Sequence, residues 1–240
     1  MDIGGSRIHT LEGAANFRDL GGLSTSDGRE VRRGRVFRSD ALLRLTDSDL
    51  NVLRALGIRT VIDLRSTEEV RNYGIGPLEK AGIWHVNVPL FYDDPIMAAS
   101  MVDEYIGLLR HVRDGFRTIF GHLAEDHCPL VLNCFAGKDR TGITSALILG
   151  ALSVPDHLIV ADYALSEQHM ARHIHIHRAS HDNESLDILP AWLMAAPTTM
   201  EATLAAIAEE WGSVRGYLKS IGLSSDELER IVSSLTASAG

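Results

Sequence analysis

Cys134 ends an apolar run in the stretch VLNCFAGKDRTGIT, Val131 to Thr144, with Asn133 directly before it and Arg140 six residues after it. A thiolate is a nucleophile, and a guanidinium is a planar fork that grips two oxygens of an oxyanion at once. Where such a loop joins a strand to the N-terminus of a helix, its amides and the helix end direct partial positive charge into one concavity suited to phosphate. A thiol of ordinary pKa, about 8.5, is only a few per cent ionised at neutral pH, whereas surroundings of this kind favour the thiolate. Nucleophile and anion receptor are then one object. The competing reading of a lone cysteine in an apolar strand is a small buried hydrophobe. Gly137, Arg140, Thr141 and Gly142 in the following turn favour the reactive one. GKDRT also echoes a nucleotide-binding loop, but Leu132 stands where its first glycine belongs and Asp139 where a Ser or Thr would hold magnesium.

The chain has two cysteines, Cys128 and Cys134. With CPLVLNC extended they lie roughly 20 Å apart, beyond the ~7 Å reach of a disulfide, so Cys134 is read as a free thiol. No C-x-x-C pair supports a zinc site or a redox couple.

The elements that must hold this loop are legible in outline. TDSDLNVLRALGIRTVIDLRS runs from a capping signal at Thr46 through leucines at helical spacing to Gly57, then into a strand rich in β-branched residues that ends near Asp63. Ser66 and Glu69 form a second capping box, and GIWHVNVPL alternates as a strand. Tyr105 to Leu123 has a helical period, Pro129 to Asn133 is a short apolar strand, and RTGITSALILGALS is a helix apolar all round, hence central. This alternation predicts an α/β fold with a central, partly parallel sheet flanked by helices. Ligands of such sheets bind beyond the carboxyl ends of the strands, where both Asp63 and Cys134 fall. From Pro155 onward only helices are predicted: a long one toward His181, one opening with the box Thr198 to Glu201, and one opening at Ser224 with Glu227. His169, His173, His177 and His181 fall four apart on the first of these, a spacing that suits a polar face, a pH-sensitive face or, least favoured, a metal.

At 240 residues and 45% hydrophobic composition, with no repeat or Pro-rich linker, the chain is read as one domain over 1–240. A net charge of −9 argues against non-specific nucleic-acid binding. No apolar run approaches the ~20 residues of a transmembrane helix. MDIGGSRIHT lacks the features of a cleavable signal, so a cytoplasmic location is expected, with signal-independent export left open.

The ordered set NFRDLGG at Asn16 to Gly22, FRSDAL at Phe37 to Leu42, DLRS at Asp63 to Ser66, CFAGKDRTG, LIVADYALS at Leu158 to Ser166 and GYLKSIGLS covers nearly the whole chain. It resembles a bacterial branch of the cysteine-dependent protein tyrosine and dual-specificity phosphatases. The resemblance implies their fold, with a helical lid at about 155–195 and a helical C-terminus. It implies that Cys134 forms a phosphocysteine and that Arg140 and the amides of Phe135, Ala136, Gly137, Lys138 and Asp139 hold the phosphate oxygens. Thr141 would bond to the sulfur, and no metal or cofactor is needed. Lys138 is associated in the family with phosphoinositide substrates alongside phosphoproteins. The leaving oxygen needs an acid; Asp63 is favoured over Asp139, with a cap or an Arg65 ion pair as the alternative use of Asp63. Arg18 and Asp19 would position the loop, contact substrate or serve structure alone. Asn133 stands where the family usually has His, which motivates a second reading: a low-activity pseudophosphatase or phosphate-dependent binding module. A single-cysteine redox or sulfur-transfer enzyme is a third, and it leaves the aspartates unexplained.

Overall fold

The computed structural model describes residues 7–91, 100–178 and 194–238. Three short strands come first, β1 (Arg18–Asp19), β2 (Arg29–Val31) and β3 (Val36–Ser39), followed by α1 (Asp47–Ala55). Thr46 caps α1 in a box with Asp49. β4 (Thr60–Asp63) then leads to α2 (Thr67–Tyr73), which opens on the Ser66–Glu69 box. After β5 (Trp84–Asn87), the helical pattern read over 105–123 divides at Val112 into α3 (Met101–His111) and α4 (Arg113–Ala124). β6 (Leu130–Asn133) and α5 (Asp139–Ala151) flank the cysteine loop, and α5 is buried on nearly every face, as its composition predicts. α6 (Asp156–Arg178), α7 (Pro197–Trp211), α8 (Val214–Ser220), α9 (Ser225–Leu235) and β7 (Thr236–Ser238) complete the order.

Two expectations are corrected here. α7 starts at Pro197 behind Ala196 and has no side-chain cap, because a proline preset to helical φ opens the helix two residues before the Thr198–Glu201 box could. The C-terminal third is not helical throughout: β7 pairs antiparallel with β2.

The main sheet has the order β1-β3-β6-β4-β5, with β1 antiparallel and the other neighbours parallel. Its register sets Ser39, Asn133, Asp63 and Asn87 in one row at the carboxyl edge. Side chains alternate between faces, and the core divides accordingly. Phe37, Val61 and Val131 pack with Leu50 and Leu53 of α1, whereas Ile62, Leu130, Leu132 and Cys134 pack with α3, α4 and α5. Of the span expected as a lid, α6 contributes Ile159, Asp162 and Tyr163 to the buried interior, and 179–193 lies outside the described residues, as do His181 and the His177 side chain. Among the described residues no helix is long and apolar enough to cross a membrane.

Candidate active site

The loop between β6 and α5 is held from behind by its carbonyls. Phe135 O accepts from Ala41 N (2.9 Å), Ala136 O from Asn16 Nδ2 (3.3 Å), and Gly137 O from Asn16 Nδ2 (3.1 Å) and an Arg38 guanidinium nitrogen (2.8 Å). Because a trans peptide sets C=O and the next N–H on opposite sides, the amides of Ala136, Gly137 and Lys138 are directed to the other, concave side. Gly137 has φ +68°, and a Cβ there would stand 2.5 Å from Ser39 O. Only glycine lets the loop lie this close to β3.

Arg140, in the first turn of α5, meets Glu69 through two bonds of 2.6 and 3.0 Å. Glu69 also closes the α2 cap by accepting from Ser66 N (2.7 Å), so one carboxylate fixes both the helix and the guanidinium. Burial works against the Arg140 charge, but Glu69, Cys134 and Asp139 outweigh it and push its pKa above the usual value. Burial likewise opposes ionisation of Glu69, yet Arg140 and Ser66 hold its carboxyl below the ordinary range. Cys134 and Cys128 are both free and buried. Burial pushes the Cys128 thiol up to about 11, which leaves it inert. The Thr141 hydroxyl, in the turn after the sulfur, is buried with no partner among the described residues.

The two candidate acids differ sharply. Asp63 is 1% exposed, and Arg65 grips both its oxygens at 2.6 to 3.1 Å while His85 Nε2 lies 3.0 Å away. Burial disfavours its charge, but the His85 and Arg65 bonds prevail and keep its carboxyl below the usual range. Asn133, its neighbour in the row, approaches Asp63 (3.5 Å) and the Cys134 carbonyl (3.4 Å) on the α1 side of the sheet, whereas Cys134 packs on the α5 side. Asp139 has a side chain about one-third exposed (34%) and accepts from the Tyr105 hydroxyl at 2.6 Å; the Lys138 ammonium lies 3.1 Å from the same oxygen. Lys138 itself is buried and also donates to Met194 O (3.2 Å).

Behind the loop lies a buried ionic knot. Asp162 of α6 is paired with Arg7 (2.6 Å), Arg18 (3.2 Å) and Arg38 (2.7 Å). Burial alone would neutralise this carboxylate, but the charges of Arg18, Arg38 and Arg7 pull its pKa far down. Arg18 also bonds to Asn16, the residue that holds the loop carbonyls. Within NFRDLGG, Arg18 bonds to Asn16, which reaches the loop, whereas Asp19 ties Gly21 N and Gly34 N away from it. Asp40 accepts from Ala15 N and Asn16 N and pairs with His173 Nδ1 (2.9 Å), whose ring lies edge-on to Phe135. The histidine pattern thus supplies at least one loop support. Asn16, Arg38 and Tyr105 had no assigned role from sequence, and Glu69 only that of a helix cap. Arg38 and Asp40 carried a signal in VFRSDAL, since charges inside an apolar run must find buried partners. Tyr105 carried none.

A sequence profile of the tyrosine phosphatase family matches residues 9–237. A tyrosine-protein phosphatase of Cupriavidus necator is 33% identical over 222 residues, 85% of this chain and 80% of that one. The triple specificity protein phosphatase PtpB of Mycobacterium tuberculosis is 30% identical over 274 residues, 93% and 97% of the two chains. A tyrosine-protein phosphatase of Nostoc commune is 28% identical over 215 residues, 81% and 71%. Among solved structures, the core catalytic domain of the PP-IP phosphatase SIW14 from S. cerevisiae aligns at 14% identity with a TM-score of 0.42, over 87% of this chain and 98% of that one.

Proposed function

The chain belongs to the tyrosine phosphatase family, and on that premise we propose that it hydrolyses phosphate monoesters through a phosphocysteine at Cys134. The observation that carries this reading is the loop whose carbonyls are bonded outward to Ala41, Asn16 and Arg38, leaving the opposite amides and Arg140 to form a cradle around the sulfur. The Cys134 thiolate attacks phosphorus, an S–P bond forms as the P–O bond to the leaving group breaks, and the departing oxygen takes a proton from Asp139. The amides of Phe135 to Asp139 and the N–H groups of Arg140 not bonded to Glu69 receive the equatorial oxygens as charge redistributes. Water then attacks the phosphocysteine, Asp139 takes the water's proton, and sulfur leaves as thiolate with the Thr141 hydroxyl as donor.

Asp139 is preferred to Asp63 as the acid because the Asp63 carboxylate is buried and held ionised by Arg65 and His85. Phosphotyrosine is the substrate class best supported. Tyr73, about half exposed, stands edge-on to Phe135 at 5.4 Å and supplies an aromatic wall beside the loop. The triple specificity in the name of the M. tuberculosis relative supports a substrate range wider than one class, and phosphoserine and phosphothreonine are proposed as further substrates. Phosphoinositides rank behind the phosphoproteins because Lys138, the residue that would engage them, is buried and already held by Asp139 and Met194 O. The binding-module reading rests on Asn133, whose amide nitrogen lies 3.5 Å from Asp63.

The test is hydrolysis of an aryl phosphate, without added metal, by the native protein and by Cys134→Ser. Turnover is expected from the first, with a phosphoenzyme trapped on acid quench, and none from the second. Activity retained in Cys134→Ser would overturn the mechanism.

A further inference from the structure

We infer that Tyr105, backed by Tyr163, is the positioning residue that fixes the Asp139 carboxyl for proton transfer to the leaving group. The inference rests on Asp139 as the general acid and adds what holds it in place. Asp139 is the first residue of α5, with a partly exposed side chain whose near neighbour in the chain is the Lys138 ammonium, 3.1 Å from Oδ1. Its shorter contact comes from α3, where the buried Tyr105 hydroxyl donates at 2.6 Å, and the Tyr105 oxygen lies 2.8 Å from the Tyr163 hydroxyl on α6. A phenol has one proton. Since Tyr105 gives its proton to Asp139, Tyr163 must donate to Tyr105, and the bonds run one way from α6 through α3 to the carboxylate.

Both rings are locked: Tyr105 is 0% and Tyr163 2% exposed, and they meet edge to face at 6.3 Å. Tyr163 also lies against Gly142 of α5, where a Cβ would fall 2.9 Å from the ring. A purely structural pair of phenols would satisfy burial by bonding to each other, so the second bond to a carboxylate about one-third exposed calls for another explanation. The chemistry supplies it. Tyr105 and Lys138 both contact Oδ1, which leaves Oδ2 to carry the proton. As that proton departs, the Tyr105 bond becomes charge-assisted and strengthens when the transition state needs it. Burial raises both phenol pKa values, that of Tyr163 to about 12, so both remain donors across an assay range.

The experiment measures kcat/KM for a series of aryl phosphates, from activated nitrophenyl esters to phenyl phosphate, whose leaving phenol has a pKa of about 10. The proteins are the native chain, Tyr105→Phe, Tyr163→Phe, Asp139→Asn and the Tyr105→Phe/Asp139→Asn pair, each checked for native unfolding temperature. Tyr105→Phe is expected to lose roughly tenfold on phenyl phosphate and progressively less as the leaving group improves. Tyr163→Phe should show a smaller loss of the same form, and the double variant no more loss than Asp139→Asn. A loss independent of the leaving group, no loss, or full additivity with Asp139→Asn would overturn the inference while leaving the acid assignment standing. If Asp139→Asn itself shows no leaving-group dependence, the acid assignment fails and the inference with it.

Discussion

Because side chains alternate along a strand, Cys134 and Asn133 leave β6 toward opposite sides of the sheet, and Asn133 is drawn to Asp63 rather than to sulfur. Asn133→His is therefore expected to change kcat on an aryl phosphate by less than tenfold, about 1.4 kcal/mol at most. Asp63→Asn should act chiefly on stability. It leaves the buried Arg65 guanidinium without its counter-charge, a change expected to cost about 3 kcal/mol in a urea unfolding experiment. Its pH dependence has a definite sign. A carboxyl whose folded pKa is depressed contributes stability above its unfolded value, about 4, and loses it as pH falls through the folded one. Native and Asp63→Asn proteins should thus converge in stability only in acid. At this scale the sequence discloses Cys134, Arg140 and both aspartates, since their types and spacing are chemical. It favoured Asp63 over Asp139, the reverse of the order preferred above: Arg65 lies only two residues from Asp63 in the chain, but the closing contact from His85 comes from the neighbouring strand.

α2 does two jobs with one side chain, since Glu69 both completes its cap and holds Arg140. Glu69→Gln keeps a capping side chain but removes the charge that orients the guanidinium. Steady-state kinetics should show KM for an aryl phosphate rising several-fold with a smaller fall in kcat, and thermal stability changing by no more than about 1 kcal/mol. Gly137→Ala should be harsher, because its Cβ would meet the backbone of β3 at 2.5 Å. Loss of at least tenfold in kcat/KM is expected in protein that still folds. The long periodic helices and β-branched strands were readable because their signal is local. β1 to β3 were not, being two to four residues each, with buried arginines in β1 and β3 where a strand pattern wants apolar residues. The break between α3 and α4 falls at Val112, which carries no breaker chemistry.

Across the whole molecule, Asp162 binds arginines from positions 7, 18 and 38 to α6, and Arg38 in turn bonds to the cysteine loop. Asp162→Asn strands three buried cations around one neutral amide. Loss of more than about 3 kcal/mol is expected by chemical denaturation, with activity falling in parallel because Arg38 and Asn16 lose their fixed orientation. LIVADYALS showed only a charge inside a helix, and the partners of that charge lie more than a hundred residues upstream. A similar distance separates β2 from β7, where Arg29 also reaches Thr236 across 207 positions. At a translation rate of roughly 5–20 residues per second, β2 leaves the ribosome on the order of 10–40 s before its partner strand is made. For that interval the nascent chain presents an open strand edge, so β2 is where a chaperone or protease would meet a chain halted short of Thr236.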